Sequence, residues 1–365
     1  MKEVCLLEKI KPVIENPMNL LLPIAVVAVI LDLIGAPPIW ILITSALAMI
    51  PVAGLIGEAT ESIAVYAGPR WGGLLNATFG NAAELIITIV AIREGLLELV
   101  KASITGSIIG NLLLVLGLSF LLGGLKNGRQ KFSRAKASSD GILLLLAVTA
   151  LTIPSLFTQS GQGIIDEFDV EILSLGVAGV MIVLYVLGLI YGMKLDDGPL
   201  TRPSADTVVH HQPWSIRTGI VVLIISTIGI VWLSEILVGN IEIAIQRYGL
   251  SEFFMGVIII PVIGNVAEHM VAVSVGMKNR IGLSVEIAIG SSLQIALFVV
   301  PLLVFLSLAL GNPLTLVFNK FELIALVGGV LITVLVAEDG ESNWLEGAIL
   351  VALYLILALA FFLLR

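Results

Sequence analysis

Two short segments place a glutamate among apolar residues: Gly-Asn-Ala-Ala-Glu, ending at Glu84, and Gly-Asn-Val-Ala-Glu, ending at Glu268. The Asn and the Glu of each segment are three residues apart, so on a helix both side chains lie on one face. Carboxylates, amide oxygens and backbone carbonyls form an oxygen ligand set, which suits a hard cation and Ca²⁺ above all. The two segments therefore predict a cation site that contains Glu84, Glu268, Asn81 and Asn265.

In such a site, electrostatic repulsion between the carboxylates couples the binding of the cation to the binding of protons. Two ionised glutamates in a low dielectric repel each other unless a divalent ion or protons neutralise them. A charge at the centre of a membrane helix costs at least about 2.5 kcal/mol, which disfavours a purely structural role for Glu84 and Glu268. Zinc or copper would require His or Cys ligands, and His269 alone lies nearby. We expect Ca²⁺ and protons to compete for both carboxylates, with His269 either a proton relay or a packed polar neighbour.

Further polar residues follow each segment at helical spacing. Ser107 and Asn111 are four residues apart, and Ser291 and Gln294 are three apart, so each pair lies on one helical face. Their oxygens can contribute to a cation site or accept hydrogen bonds. Two interpretations fit the neighbouring glycines Gly106, Gly110 and Gly290 equally well. They allow close contacts between helices, or they form part of the site.

The composition of the chain indicates whether water or lipid surrounds these residues. The chain has 365 residues, of which 58% are hydrophobic and 13% charged, and its mean hydropathy is +1.10. A spanning helix needs about 20 mostly apolar residues, and backbone groups in lipid must be paired within each segment. We predict an all-α polytopic membrane protein with eleven spans, at residues 18–35, 38–57, 72–92, 96–123, 140–157, 170–192, 216–238, 252–277, 282–309, 319–337 and 343–364.

The chain also contains an internal repeat. An offset of 184 residues, the separation of Gly80 and Gly264, aligns both glutamate segments and, without a gap, Gly106-Ser107 with Gly290-Ser291. Under the same offset Gln294 aligns with Gly110, so the two halves need not bind a cation equivalently. We predict a leading segment (1–36), a first five-helix repeat (37–192), a polar connecting loop (193–213) and a second repeat (214–365). Since five is odd, the second repeat is inverted, the arrangement of many secondary transporters. Gly80 and Gly264 are predicted points where the motif helices break.

The distribution of basic residues predicts the orientation. Five Lys and Arg between Lys126 and Lys136 place that loop in the cytoplasm, and the scheme puts 14 of the 19 Lys and Arg on the cytoplasmic side. The N-terminus is then cytoplasmic. The first apolar run resembles a signal peptide, but Pro37 and Pro38 stand where a cleavage site would be needed, which favours a retained helix. Short loops suggest a prokaryotic inner membrane.

Several classes of function are excluded or disfavoured. The net charge of −8 disfavours nucleic acid as a partner. The single Cys5 allows no internal disulfide. The sequence contains no phosphate-binding loop, dinucleotide fingerprint or His-Glu-x-x-His motif, so we expect no enzyme and no cofactor. The expected partners are Ca²⁺, H⁺ and the lipid bilayer, and a homo-oligomer is compatible with the sequence.

The two segments resemble the signature repeats of the Ca²⁺/H⁺ exchangers, the CAX family of the cation/Ca²⁺ exchanger superfamily. Leu74 to Gly80 and Gly110 to Gly117 add to the likeness, which extends from about Pro37 to the end of the chain. The resemblance implies one leading helix followed by two sets of five, with Glu84 and Glu268 as central Ca²⁺ ligands that alternate between metal and proton. It implies a pathway lined by Asn81, Asn265, Ser107, Ser291 and Gln294.

These observations predict an antiporter that exports Ca²⁺ from the cytoplasm in exchange for protons by alternating access. Two alternatives remain open at this stage. The Gly-Thr-Ser-x-Pro-Glu pattern of Na⁺-coupled relatives is absent, which favours protons over sodium as the counter-ion. A passive cation channel could use the same acidic pair.

Overall fold

The computed structural model describes residues 17–159, 166–194, 214–249 and 251–364, which are mostly helical. The predicted connecting loop at 193–213 falls almost entirely outside these residues. The chain forms two compact units, each of which combines segments from both predicted repeats. The first comprises Met1–Val90, Pro203–Gly249 and Ile263–Ala267, and the second comprises Ala91–Arg202, Leu250–Val262 and Glu268–Arg365.

The first unit is built from three long apolar segments. A 3₁₀ turn, Pro17–Leu21, leads into α1 (Pro23–Leu33), and α2 runs over Pro38–Phe79 with non-helical backbone at Gly68. Helix α7 (Ile216–Tyr248) begins at Ser215, whose hydroxyl accepts a hydrogen bond from the Thr218 amide. Helices α2 and α7 pack along each other, and both contact α1. Helix α3 (Ala82–Arg93) starts in this unit, with two residues between it and the end of α2.

The second unit contains the remaining helices. These are α4 (Leu97–Asn127), α5 (Arg134–Gln159), α6 (Glu167–Lys194), α8 (Glu252–Met277), α9 (Ile281–Ala309), α10 (Lys320–Val336) and α11 (Trp344–Leu363). Helix α8 contributes five residues, Ile263–Ala267, to the first unit. Asn319 and Asn343 cap α10 and α11, and in each case a glutamate three residues later completes a capping box.

In the part of the chain that the structure describes, eight helical segments are long and apolar enough to cross a membrane, judged by length and composition. They coincide with eight of the predicted spans. The other three predicted spans correspond to shorter apolar helices: α1, α3 and α10, the last with 17 residues. Large apolar side chains on these helices are exposed, such as Leu355, Leu359 and Phe362 on α11, as expected where lipid surrounds a helix.

The two motif helices differ from each other. Gly80 and Asn81 form a turn between α2 and α3, so the predicted break in the first motif is present. The predicted break at Gly264 is wrong, because α8 continues as an α-helix from Ile260 through Met277. The irregularity lies one turn earlier, where Met255–Ile259 form a π-helical turn. Pro261 lies directly after this turn, at the start of the regular helix, where the missing N–H of proline is tolerated.

Glycines on α4 and α11 permit close helix packing within the second unit. A Cβ on Gly347 would lie 2.1 Å from the Leu121 backbone nitrogen, and one on Gly124 would lie 2.5 Å from the Trp344 nitrogen. Small residues allow two membrane helices to approach until their backbones touch, which replaces the hydrophobic driving force that lipid removes.

An extended segment between α9 and α10 crosses the second unit with its backbone paired to serine hydroxyls. The amides of Leu314, Leu316 and Phe318 donate to Ser307, Ser174 and Ser155 respectively, at 2.8 to 3.0 Å. Their three apolar side chains are buried. The hydroxyls therefore supply the acceptors that a buried non-helical backbone requires.

A two-stranded antiparallel ladder joins two loops of the second unit. Strand β1 (Gln130–Lys131) pairs with β2 (Glu341–Ser342), and Lys131 Nζ lies 3.1 Å from Glu341 Oε1. The Gln130 side chain donates to the Gly276 carbonyl at the end of α8. Three loops that the basic-residue distribution assigns to the cytoplasm thus contact one another.

Two lysines of the second unit have opposite charges beside them, one on another helix and one on its own helix. Lys136 on α5 lies 2.6 Å from Glu286 on α9. Lys101 on α4 pairs with Glu98 at 2.5 Å and donates to the Val317 carbonyl at 2.8 Å, and its side chain is 8% exposed. Burial of both charges is tolerated because each has an opposite partner.

Candidate cation-binding site

Glu84 lies in the first turn of α3 and is 3% exposed. The turn at Gly80 and Asn81 sets this position, because it starts a new helix two residues before Glu84. A helix N-terminus carries unpaired amides and a positive dipole end, which favour the ionised carboxylate. The carboxyl group packs against Gly264, where a Cβ would lie 3.1 Å from Oε1. The two glycine-containing motifs therefore meet within the first unit.

The two motif asparagines are both buried, at 1% exposure each. Asn81 lies in the turn, and its carbonyl accepts from the Leu85 amide at 3.0 Å. The Asn265 side chain has no hydrogen-bond partner for either its oxygen or its nitrogen among the residues that the structure describes. An amide buried in this way costs free energy unless something else supplies its partners. A cation that binds amide oxygen is one such partner.

Glu268 and His269 belong to the second unit and are half-buried. Glu268 is hydrogen-bonded to the Ser291 hydroxyl on α9. Ser291 Oγ accepts from Asn111 Nδ2 on α4 at 3.1 Å, and Asn111 Oδ1 lies 3.1 Å from His269 Nε2. A single chain of hydrogen bonds therefore runs from His269 through Asn111 and Ser291 to Glu268. The structure brings these predicted residues together on three helices.

Ser107 and Gln294 lie on the same two helices as Asn111 and Ser291. Ser107 is buried in α4 and Gln294 is half-buried in α9, and their predicted role in binding remains a prediction. Gly106 is a packing residue, because a Cβ there would lie 2.0 Å from the Val257 carbonyl oxygen and 2.6 Å from the Pro261 ring. A Cβ on Gly110 or Gly290 would meet no such atom within 4 Å.

Helices α4 and α9 each contain a π-helical turn beside these polar residues. The turns are Gly110–Val115 and Ile295–Val299, which fall at corresponding positions under the 184-residue offset. A π turn inserts one residue into the helix and shifts the side chains that follow, and such turns are frequent at functional sites. The residue types at these positions do not predict π turns. Both turns nevertheless lie beside polar side chains that the sequence identifies as candidate site residues.

The chemistry of these side chains fits a hard cation as a transported substrate. Among the described residues, no group of three or more His, Cys, Asp and Glu is arranged to hold a metal ion. A cation would therefore draw on carboxylates together with amide, hydroxyl and backbone oxygens, as Ca²⁺ does. Asn265 and Glu84 offer such oxygens in the first unit, and Glu268 and Ser291 do so in the second.

The family model described as "Sodium/calcium exchanger protein" matches residues 37–194 and 218–363. The chain belongs to this family. It is a multi-pass membrane protein within the cation/Ca²⁺ exchanger superfamily, as its motifs had predicted.

Relatives within the exchanger family are similar over most of their length. A "Ca(2+)/H(+) antiporter" from Aphanothece halophytica is 45% identical over 335 residues, covering 88% of this chain and 90% of the relative. The "Ca(2+)/H(+) antiporter ChaA" of Bacillus subtilis is 45% identical over 320 residues, covering 87% and 90%. The solved structure of native YfkE has 40% identity and a TM-score of 0.83, covering 95% of this chain and all of that one.

Proposed function

We propose that this exchanger exports Ca²⁺ from the cytoplasm in return for protons. The observation that carries the proposal is the 45% identity to two proteins named Ca²⁺/H⁺ antiporters, over about nine tenths of each chain. As with those relatives, the activity is transport rather than enzymatic turnover. No cofactor is required, because Ca²⁺ is the cargo and the proton gradient supplies the driving force.

Glu84 and Glu268 are the proposed ligands that alternate between Ca²⁺ and protons. Support comes from the burial of Glu84, from its contact with Gly264, and from the position of Glu268 one turn after Gly264 on α8. Asn81, Asn265, Ser107, Ser291 and Gln294 are proposed to contribute further oxygens. His269, the neighbour of Glu268 on α8, is proposed to serve proton coupling.

The mechanism follows from charge balance. With both glutamates ionised, the pair has a charge of −2, which one Ca²⁺ neutralises. When Ca²⁺ leaves, two protons restore neutrality, so the pair is never left charged in a low-dielectric interior. Since a protonated carboxyl group is a poor cation ligand, loading with protons on one side releases Ca²⁺ there. This competition gives an exchange of about two protons per Ca²⁺.

The proposed architecture is a leading helix followed by two inverted five-helix repeats, with the N-terminus in the cytoplasm. The family model's match to 37–194 and to 218–363 supports a duplicated chain. The pairing of β1 with β2 supports the alternation of sides, since both loops are assigned to the cytoplasm. So does the bond from the Asn312 side chain to the Ile92 carbonyl, which joins two loops assigned to the opposite side. A prokaryotic inner membrane is the proposed location.

The proposal is tested by flux in inside-out vesicles with an acidic interior. Ca²⁺ added outside should collapse the pH gradient, and replacing sodium with choline should leave the response unchanged. A response that requires sodium would identify the Na⁺-coupled alternative. Ca²⁺ current without a pH gradient, well above transporter turnover, would identify a channel.

A further inference from the structure

The Asn111 side chain connects His269, the neighbour of Glu268 on α8, with Ser291, the hydrogen-bond partner of Glu268 on α9. Asn111 is 2% exposed and sits on α4, at the second residue of the π turn Gly110–Val115. Its Nδ2 donates to Ser291 Oγ at 3.1 Å, and its Oδ1 lies 3.1 Å from His269 Nε2. The oxygen and the nitrogen of this buried side-chain amide therefore both have hydrogen-bond partners.

The hydrogen-bond donors between His269 and Glu268 have a fixed order. An amide oxygen can only accept a hydrogen bond, so His269 Nε2 carries the hydrogen that it shares with Asn111. The amide nitrogen then faces Ser291 and donates to its oxygen. A serine hydroxyl has one hydrogen to give, and with its oxygen already accepting from Asn111, that hydrogen is directed to the Glu268 carboxyl group. Each donor points along the chain toward Glu268.

We infer that Asn111 is a positioning residue that acts through Ser291, holding the Ser291 hydroxyl in the orientation that presents Glu268 to the cation. The inference rests on the proposed Ca²⁺/H⁺ exchange and adds one residue to it. An apolar residue at 111 would free the Ser291 hydroxyl to rotate. Glu268 would then lose a fixed charge-assisted hydrogen bond, the stronger kind in a dry interior.

The arrangement serves one glutamate and not its counterpart. Under the 184-residue offset, Ser291 corresponds to Ser107, but Asn111 corresponds to Ile295 and His269 to Leu85. The positions that match Asn111 and His269 in the other repeat therefore carry apolar side chains. The two glutamates are inequivalent at this point, with the hydroxyl beside Glu268 fixed by a second layer of polar residues.

Two other roles for Asn111 lead to different results. As a direct Ca²⁺ ligand, Asn111 would still contribute after the Ser291 hydroxyl is removed, so Asn111→Leu would raise KM in the Ser291→Ala background as well. As a packing residue, Asn111 would affect stability and turnover rather than the apparent affinity for Ca²⁺. Acting through Ser291, Asn111 loses its effect once the Ser291 hydroxyl is gone.

The experiment is a double-mutant cycle in proteoliposomes, with Ca²⁺-dependent proton flux measured against Ca²⁺ concentration. The variants are Asn111→Leu, which keeps the branch at Cγ and removes both polar atoms, Ser291→Ala, and the two combined. Ser103→Ala is the matched control, since it removes a buried α4 hydroxyl that lacks a hydrogen-bond partner among the described residues. Thermal unfolding in detergent is recorded for each variant.

We expect Asn111→Leu to raise the apparent KM for Ca²⁺ about tenfold, the size expected for one bond to a charged group, with kcat changed less than about twofold. In the Ser291→Ala background the same substitution should change KM less than about twofold. Ser103→Ala should behave as wild type. Multiplying effects on KM, or a loss confined to kcat and thermal stability, would overturn the inference. If Asn111→Leu does not fold, Asn111→Ser replaces it in the same cycle.

The wild-type protein separates this inference from the proposed function. Absence of Ca²⁺-driven proton flux in the wild type contradicts the proposed exchange itself. If the wild type exchanges Ca²⁺ for protons but the effects of the two substitutions on KM multiply, only the role of Asn111 is contradicted.

Discussion

The Glu84 carboxyl group lies directly against the backbone of Gly264, so that a methyl group there would come 3.1 Å from Oε1 and 3.2 Å from Cδ. A Cβ at this distance would be closer than nearly all Cβ contacts in proteins, so the carboxyl group would have to move by a few tenths of an ångström to admit it. Gly264 is in regular helix, so the requirement for glycine comes from the carboxylate and not from the backbone conformation. The glycine of one motif thus makes space for the glutamate of the other.

Gly264→Ala should therefore impair transport more than stability. The added methyl group displaces the Glu84 carboxylate by a few tenths of an ångström or more, and ligand geometry for a cation tolerates little displacement. We expect Ca²⁺-dependent proton flux to fall about tenfold or more. Gly239→Ala is the control, because a Cβ on Gly239 meets nothing within 4 Å. Equal flux in the two variants would show that the contact is unimportant.

Gly347→Ala should destabilise the second unit strongly. Its methyl group would lie 2.1 Å from the Leu121 nitrogen and 2.6 Å from the Gly117 carbonyl, and backbone atoms cannot move aside as a flexible side chain can. Overpacking of this kind costs about 1–3 kcal/mol or more. The unfolding temperature in detergent should fall clearly, whereas Gly176→Ala, with nothing within 4 Å, should leave it unchanged.

Ser155→Ala should destabilise the extended segment between α9 and α10. The Ser155 hydroxyl accepts from the Phe318 amide at 2.8 Å and donates to the Leu316 carbonyl at 3.2 Å. Removing it leaves a buried amide without an acceptor, a loss of about 1–3 kcal/mol. Thermal unfolding measures the change, and Ser234→Ala is the control, since its buried hydroxyl has no hydrogen-bond partner within the described part of the chain. Similar unfolding temperatures for both variants would count against this account of the segment.

The Lys136 and Glu286 pair should contribute more stability than the Lys131 and Glu341 pair. Lys136 and Glu286 have side chains 19% and 30% exposed, whereas Lys131 is 81% exposed. Solvent screens the exposed pair, whose contribution is within about 1 kcal/mol. A double-mutant cycle with Lys136→Met and Glu286→Gln should give the larger coupling energy in thermal unfolding. The reverse order would contradict the comparison.

The sequence was sufficient to predict the helical class and most helix positions, and it singled out the polar residues whose role in binding a cation remains a prediction. Apolar run length predicts spans because lipid requires every backbone group to be paired locally. Isolated carboxylates in such runs identify a site because burying a charge is costly. Glu84, Asn81 and Asn265 are accordingly buried, and Glu268 and His269 share a hydrogen-bonded chain with Ser291.

Other features depend on tertiary packing that residue types do not reveal. Gly264 allows either a break or a close contact, and the contact with Glu84 is present instead of the break. The π turns in α4, α8 and α9 have no local signature. Residues 313–319 are non-helical and partly buried because serines distant in sequence accept from their amides. The role of Asn111 depends on contacts from two other helices.

Proton release on Ca²⁺ binding tests the central claim most directly. Purified protein in a weakly buffered detergent solution is titrated with Ca²⁺ near neutral pH while bound ⁴⁵Ca²⁺ and released protons are both counted. The account predicts proton release that accompanies binding, up to about two per Ca²⁺ at the pH where both carboxyls begin protonated. Glu84→Gln and Glu268→Gln should each lower the linked release by about one proton per bound Ca²⁺, and Glu338→Gln, at an exposed loop position, should leave it unchanged. Binding with no proton release at any pH, or undiminished release in both site variants, would contradict the account.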